Sequence, residues 1–153
     1  MIRVVVADDH EILRWGLVET LAREPDLVVV AEVGDAEAAV VASDRLQPDV
    51  ILLDLSMPGG GGWAALAGVL MSRPAACVVI LSATDDPSTV ESALAHGARA
   101  HVSKSEGPER LLQVLRTVVA EAPPVPGAVV TSPGGAGGAQ ATGGAGSGDA
   151  GAG

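Results

Sequence analysis

The chain has 153 residues, 48% of them hydrophobic, yet it contains no Phe and no Tyr, so any core must be built from Val, Leu, Ile and Ala. Its formal net charge is −10 with no Lys/Arg cluster to offset it, which argues against direct nucleic-acid binding by this chain. No apolar run approaches the ~20 residues of a membrane-spanning helix, and the segment before the first acidic pair is too brief for a signal peptide.

In chain order, short apolar segments alternate with segments of helical spacing. The first apolar run, Ile2–Ala7, leads into Asp8-Asp9. Leu13, Leu17 and Leu21 then recur every four residues, one stripe of an amphipathic helix. Leu27–Val33 and Val50–Leu55 are continuous rather than alternating, as expected for parallel strands covered on both faces. Cys77–Ser82 is a further strand; its lone Cys77 excludes an intramolecular disulfide, suits a reducing cytoplasm and reads as a small core residue. Asp86-Pro87 opens a helix, with Asp as N-cap and Pro at the first helical position, and Gly97 stops it. Ala100–Ser103 is a short fifth strand. A final helix then carries Leu111, Leu115, Val118 and Val119 on one face. The βα order, repeated five times, predicts an α/β fold: a doubly wound five-stranded parallel sheet with helices on both faces. Residues 1–121 form this domain, and the Pro/Gly/Ala-rich stretch 122–153 is expected to be a disordered linker or tail.

In an open α/β sheet, ligands bind beyond the carboxyl ends of the strands. Those ends carry Asp8-Asp9, Asp54, Ser82 and Lys104, the last being the only Lys among nine basic residues. Alone, each has a bland explanation; an acidic pair after a strand is commonly a turn or cap. Together they offer one chemistry. Converging carboxylates repel unless a cation is present, and Mg²⁺ favours one or two carboxylates plus waters and phosphate oxygens. A carboxylate can attack a phosphoryl group to give an acyl phosphate. Lys104 can pair with that phosphate, and the Ser82 hydroxyl can donate to it.

The strings VVVADDH, DVILLDLSMPGG, VVILSA and GARAHVSKS resemble the receiver domain of two-component response regulators over essentially all of residues 1–121. The wording is closest to the subfamily that usually carries a LuxR-type helix-turn-helix. The resemblance implies a flavodoxin-like strand order, 2-1-3-4-5. It implies Mg²⁺ held directly by Asp9, largely through water by Asp8, by Asp54 and by the backbone carbonyl of Ser56. Asp54 would take the phosphoryl group from a sensor histidine kinase, Lys104 would pair with it, and Ser82 would move toward it. Ser56 and Thr84 would influence the phosphate's lifetime. The output would be a shift at the face formed by the fourth helix, fifth strand and fifth helix, in a cytoplasmic switch, with homodimerisation as one form of output. Such a module promotes its own phosphoryl transfer and hydrolysis without being a conventional enzyme. A haloacid-dehalogenase-type phosphatase would need an Asp where this chain has Ser56.

The sequence departs from the family in three places. Where the family usually has Tyr or Phe as a switch residue, this chain has His101, which is smaller, polar and titratable. Gly59-Gly60-Gly61-Gly62 stands where the family commonly has a larger apolar residue and an acidic one, predicting a looser loop between the third strand and the third helix. No GK[ST] follows to make those glycines a phosphate-binding loop. Trp63 and Trp15 read as helix-surface or boundary residues. Finally, no helix-turn-helix sequence follows residue 121, leaving either a stand-alone receiver or the regulatory half of a LuxR-type transcription factor.

Overall fold

A computed structural model describes residues 1–57, 61–83 and 86–121. These residues form β1 (Ile2–Ala7), α1 (Glu11–Ala22), β2 (Leu27–Val33), α2 (Ala36–Leu46), β3 (Val50–Asp54), α3 (Gly61–Ser72), β4 (Val78–Ser82), α4 (Pro87–Ala95), β5 (Ala100–Ser103) and α5 (Pro108–Ala120). The strands make one parallel sheet in the order β2-β1-β3-β4-β5, as the sequence predicts. The predicted strand bounds hold to within one residue: β3 ends at Asp54 rather than Leu55, and β4 begins at Val78 rather than Cys77. The expected tail, 122–153, lies outside the described residues.

Alternation within each strand divides the core in two. Val4, Val6, Val50, Leu52, Val79 and Leu81 face one side, where Leu21 of α1 and Leu111, Leu115 and Val118 of α5 cover them. Val5, Ala7, Ile51, Leu53, Val78 and Ile80 face the other, under Ala39 of α2, Ala65, Leu66 and Val69 of α3, and Ala93 of α4. The continuous apolar runs follow directly from this double coverage. Each fully buried Val, Leu or Ile contributes roughly 1.5–3 kcal/mol, so aliphatic side chains hold the sheet without any Phe or Tyr. Cys77 is buried among them, as predicted.

The helix punctuation also follows the sequence. Asp86 caps α4 by accepting from the Thr89 amide at 3.2 Å, with Pro87 in the first turn. Gly97 ends that helix at φ 108°, in the left-handed region, and a side chain there would collide with Leu70.

The glycine run is the main local correction. Gly61 and Gly62 are not loop but the first turn of α3, which starts two residues before Trp63; Pro58, Gly59 and Gly60 lie outside the described residues. A Cβ on Gly62 would come within 2.3 Å of Leu55 Cα. Glycine is therefore required for close packing of the helix start on the turn after β3, rather than for looseness. Trp15 is 64% exposed on α1, and Trp63 is half-buried with its ring edge-on to His96, centroids 5.7 Å apart.

Candidate functional site

The strand order reverses between β1 and β3, so the crevice beyond their carboxyl ends is the topological switch point of the sheet. Asp8 and Asp9 follow β1 directly, and Asp54 is the last residue of β3. The Ala7–Leu53 register sets these two ends side by side. Donor atoms from Asp8, Asp9, Asp54 and His10 all lie within 4.8 Å of one another.

Backbone hydrogen bonds and packing fix the surrounding groups. The Lys104 amide donates to the carbonyl of Ser82 at 2.7 Å, tying the residue after β5 to the end of β4. From there the Lys104 side chain reaches back, placing Nζ 3.4 Å from Asp54 Oδ2 and 3.5 Å from Asp8 Oδ2. Ser82 is itself buried, in register with Ser103. Asp54 Oδ1 accepts from the Ser56 amide at 3.0 Å and from its hydroxyl at 2.8 Å. Burial pushes the Asp54 carboxyl up. The two Ser56 donors and the Lys104 charge outweigh that effect and hold it below the usual carboxylate range.

The two oxygens of Asp54 thus differ. Oδ1 is engaged by Ser56, whereas Oδ2 is buried, accepts no aligned hydrogen bond among the described residues, and faces the ammonium at ion-pair distance. Asp8 Oδ2, 3.5 Å from the same ammonium, and Asp9 Oδ1, 3.4 Å from His10 Nδ1, are likewise buried without an aligned hydrogen bond among the described residues. Buried carboxylate oxygens left without donors are costly unless a cation completes them. Three hard oxygens converging at this spacing fit a divalent ion, with Lys104 offsetting only part of their charge.

Two residues at this site are not singled out by the sequence reading. His10 is the N-cap of α1 but makes no side-chain cap; its Nδ1 lies 3.3 Å from Asp8 Oδ1, 3.4 Å from Asp9 Oδ1 and 4.0 Å from Asp54 Oδ2. An imidazole directly after two carboxylates at a strand end is a signal the sequence does carry. Arg14 is less legible: its Nη1 donates to the backbone carbonyl of Asp8 at 2.6 Å, bracing the turn from one helical turn away. His101 sits in mid-β5, half-buried and in register with Ile80, and it is not among the residues whose donor atoms meet in the cluster. Thr84 lies outside the described residues.

A doubly wound sheet with an acidic cluster at its switch point, and a lysine reaching in from the last strand, defines a receiver-type module. Residues 4–116 match the family model described as the response regulator receiver domain, and the chain belongs to that family. It is 36% identical over 117 residues to the transcriptional regulatory protein DegU of Brevibacillus brevis, covering 76% of this chain and 50% of DegU. It is 37% identical over 114 residues to the nitrate/nitrite response regulator NarP of Escherichia coli, covering 74% and 53%. This chain therefore spans about half the length of the curated relatives it matches. Among solved structures, a LuxR-family two-component response regulator from a species of Aurantimonas superposes with TM-score 0.78 at 30% identity, over 89% of this chain and 93% of that one. The isolated receiver domain of RcsB from Salmonella enterica, determined with a beryllofluoride phosphomimetic, gives TM-score 0.72 at 26% identity over 82% and 93%.

Proposed function

We propose that this protein is a phosphorylation switch of a two-component system, in which Asp54 Oδ2 accepts a phosphoryl group from a phosphohistidine of a sensor histidine kinase. The observation that carries this reading is the asymmetry of Asp54, with Oδ1 held by Ser56 and a buried Oδ2 left to the Lys104 ammonium at 3.4 Å. In the transfer, Oδ2 bonds to phosphorus as the P–N bond of the donor breaks, and the departing imidazole keeps the electron pair and takes up a proton. Asp8, Asp9, Asp54 and the carbonyl of Ser56 would hold Mg²⁺, which supplies charge neutralisation at the phosphoryl oxygens. Lys104 then pairs with the acyl phosphate, and the Ser82 hydroxyl donates to it. Ser56 and Thr84 would influence how long the phosphate lasts.

The switch would bias a two-state equilibrium at the α4–β5–α5 face, with His101 on β5 in the position to transmit it. The phosphorylation-induced shift of that face should be lost or reduced in His101→Ala, and a shift that persists unchanged overturns that role. The reading places the chain in the cytoplasm with its kinase, and no helix among the described residues is long and apolar enough to cross a membrane. The matched relatives carry the names of transcriptional and nitrate/nitrite response regulators. We therefore read this chain as the regulatory part of such a regulator. The 153-residue chain itself is expected to give no specific gel shift on DNA.

Acetyl phosphate, with and without Mg²⁺, tests the central claim. Mass spectrometry after hydroxylamine trapping should place the adduct on Asp54, only with the divalent ion. Modification that persists in Asp54→Ala, or that needs no divalent ion, overturns the assignment.

A further inference from the structure

His10 faces the carboxylate cluster with a nitrogen donor that the phosphoacceptor chemistry does not use. At the N-cap of α1, where a side-chain oxygen ordinarily accepts from the helix amides, His10 makes no such bond. The His10 amide donates to Asp8 Oδ1 at 2.9 Å, folding the residue back over the pair, and Nδ1 stands 3.3–4.0 Å from one oxygen of each of the three carboxylates. Around a six-coordinate ion with bonds of about 2.1 Å, adjacent donors are about 3.0 Å apart and opposite donors about 4.2 Å. The Nδ1 separations fall in that range, so ligation by His10 needs only a small closure of the site. Independent of the imidazole, Asp8 Oδ2 and Asp54 Oδ2 belong to side chains about 1% exposed, make no aligned hydrogen bond and share the single ammonium of Lys104 at 3.5 and 3.4 Å, so the buried cluster keeps uncompensated negative charge.

We infer that His10 Nδ1 is a further metal ligand, and that it selects borderline first-row ions such as Mn²⁺, Co²⁺ and Zn²⁺ over Mg²⁺ at this site. An oxygen-only site suits Mg²⁺, which holds its waters and gains little from imidazole. Imidazole raises affinity for the transition ions specifically. This inference rests on the metal-dependent reading of the site given above. It adds that phosphoryl acceptance responds to which divalent ion fills the site, so competition between Mg²⁺ and a transition ion becomes a regulatory input.

The experiment titrates the whole chain with Mg²⁺ and with Co²⁺ by calorimetry, in wild type, His10→Asn and Asp9→Asn, and records pulsed EPR of the Mn²⁺-loaded protein. Asn is a favoured N-cap residue, so His10→Asn removes the imidazole without weakening the start of α1. The expected result is a Co²⁺/Mg²⁺ affinity ratio at least about tenfold lower in His10→Asn, with Mg²⁺ affinity changed less than about twofold. Imidazole ¹⁴N coupling to Mn²⁺ is expected in wild type and absent in His10→Asn, although His96 and His101 remain. An unchanged ratio, or no ¹⁴N coupling in wild type, overturns the role of His10 alone. Absence of Mg²⁺ binding in wild type, or binding that Asp9→Asn leaves intact, overturns the underlying metal reading instead.

Discussion

Lys104 Nζ lies 3.4 Å from Asp54 Oδ2 while the opposite oxygen of the same carboxylate is held by Ser56, so a single lysine stands against the buried oxygen of Asp54 that Ser56 does not engage. The same ammonium is 3.5 Å from Asp8 Oδ2 and thus separates two buried carboxylates. In Lys104→Met these carboxylates lose their common counter-ion, and the Asp54 carboxyl moves up from its wild-type position. The sign at Asp54 is clear. Its folded pKa is depressed, so its stabilising contribution is present above the unfolded pKa and is lost as pH falls through the folded value. The variant should therefore be less stable at neutral pH by about 1–3 kcal/mol, with the deficit shrinking under acid. Urea unfolding at several pH values checks this, and a pH-independent difference would count against the charge account.

Metal removal has a distinct signature. Without a divalent ion, Asp8, Asp9 and Asp54 repel, so in EDTA Asp9→Asn should be at least as stable as wild type. With Mg²⁺ at ten times its Kd, wild type should gain about 1.4 kcal/mol, a rise of about 3–6 °C in Tm. Asp9→Asn should show less than half of that. Thermal melts of both proteins with and without Mg²⁺ measure it, and equal shifts would remove Asp9 from the ion's surroundings.

Two glycines should respond oppositely to the same change. Gly62→Ala places a methyl 2.3 Å from Leu55 Cα and 2.5 Å from its carbonyl oxygen, which only backbone movement relieves. A loss of about 1–3 kcal/mol is expected. Phosphorylation of Asp54 should also fall, because the displaced turn carries Ser56. Gly16 on α1 has nothing within 4 Å of a built Cβ, so Gly16→Ala should stabilise by about 0.5–1 kcal/mol through helix propensity. Chemical denaturation of the pair decides the matter: similar effects in both would mean that the Leu55 contact is not the cause.

Burial pushes the Cys77 thiol up from its ordinary 9.0 to about 11. At pH 8 only about one thiol in a thousand is then ionised, so the native protein should resist thiol reagents and label only on unfolding. The folded state keeps this proton to higher pH than the unfolded chain does. The thiol therefore costs nothing below the unfolded pKa and erodes stability as pH climbs from about 9 toward 11. Cys77→Ala should lack that part of the alkaline loss, read as a flatter stability-pH curve than wild type above pH 9. Rapid labelling of the native protein at pH 8 would contradict the burial account.

Much of this protein is legible along the chain because its signals are local or periodic. The continuous runs Ile2–Ala7 and Leu27–Val33 are strands with the bounds the sequence predicts, since a strand covered on both faces must be apolar at every position. Asp86, Pro87 and Gly97 mark the ends of α4 because capping, a fixed φ and a positive φ are properties of single residues. Asp8, Asp9, Asp54 and Lys104 could be grouped from strand ends alone, because a parallel sheet delivers every such end to one edge.

The tertiary structure decided what depends on approach between distant segments. Gly61 and Gly62 look like loop in sequence, yet contact with the Leu55 turn makes them the start of α3; no window around them encodes that contact. Arg14 bracing the Asp8 carbonyl is likewise invisible until α1 docks on the sheet. Sequence order also leaves the two oxygens of Asp54 equivalent. Lys104 and Asp54 are fifty residues apart, and only their packing at the switch point makes Oδ2 the buried oxygen that faces the ammonium. The sequence therefore determined that Asp8, Asp9, Asp54 and Lys104 meet, and the fold determined which other residues join them and which atom of Asp54 faces the chain's only lysine.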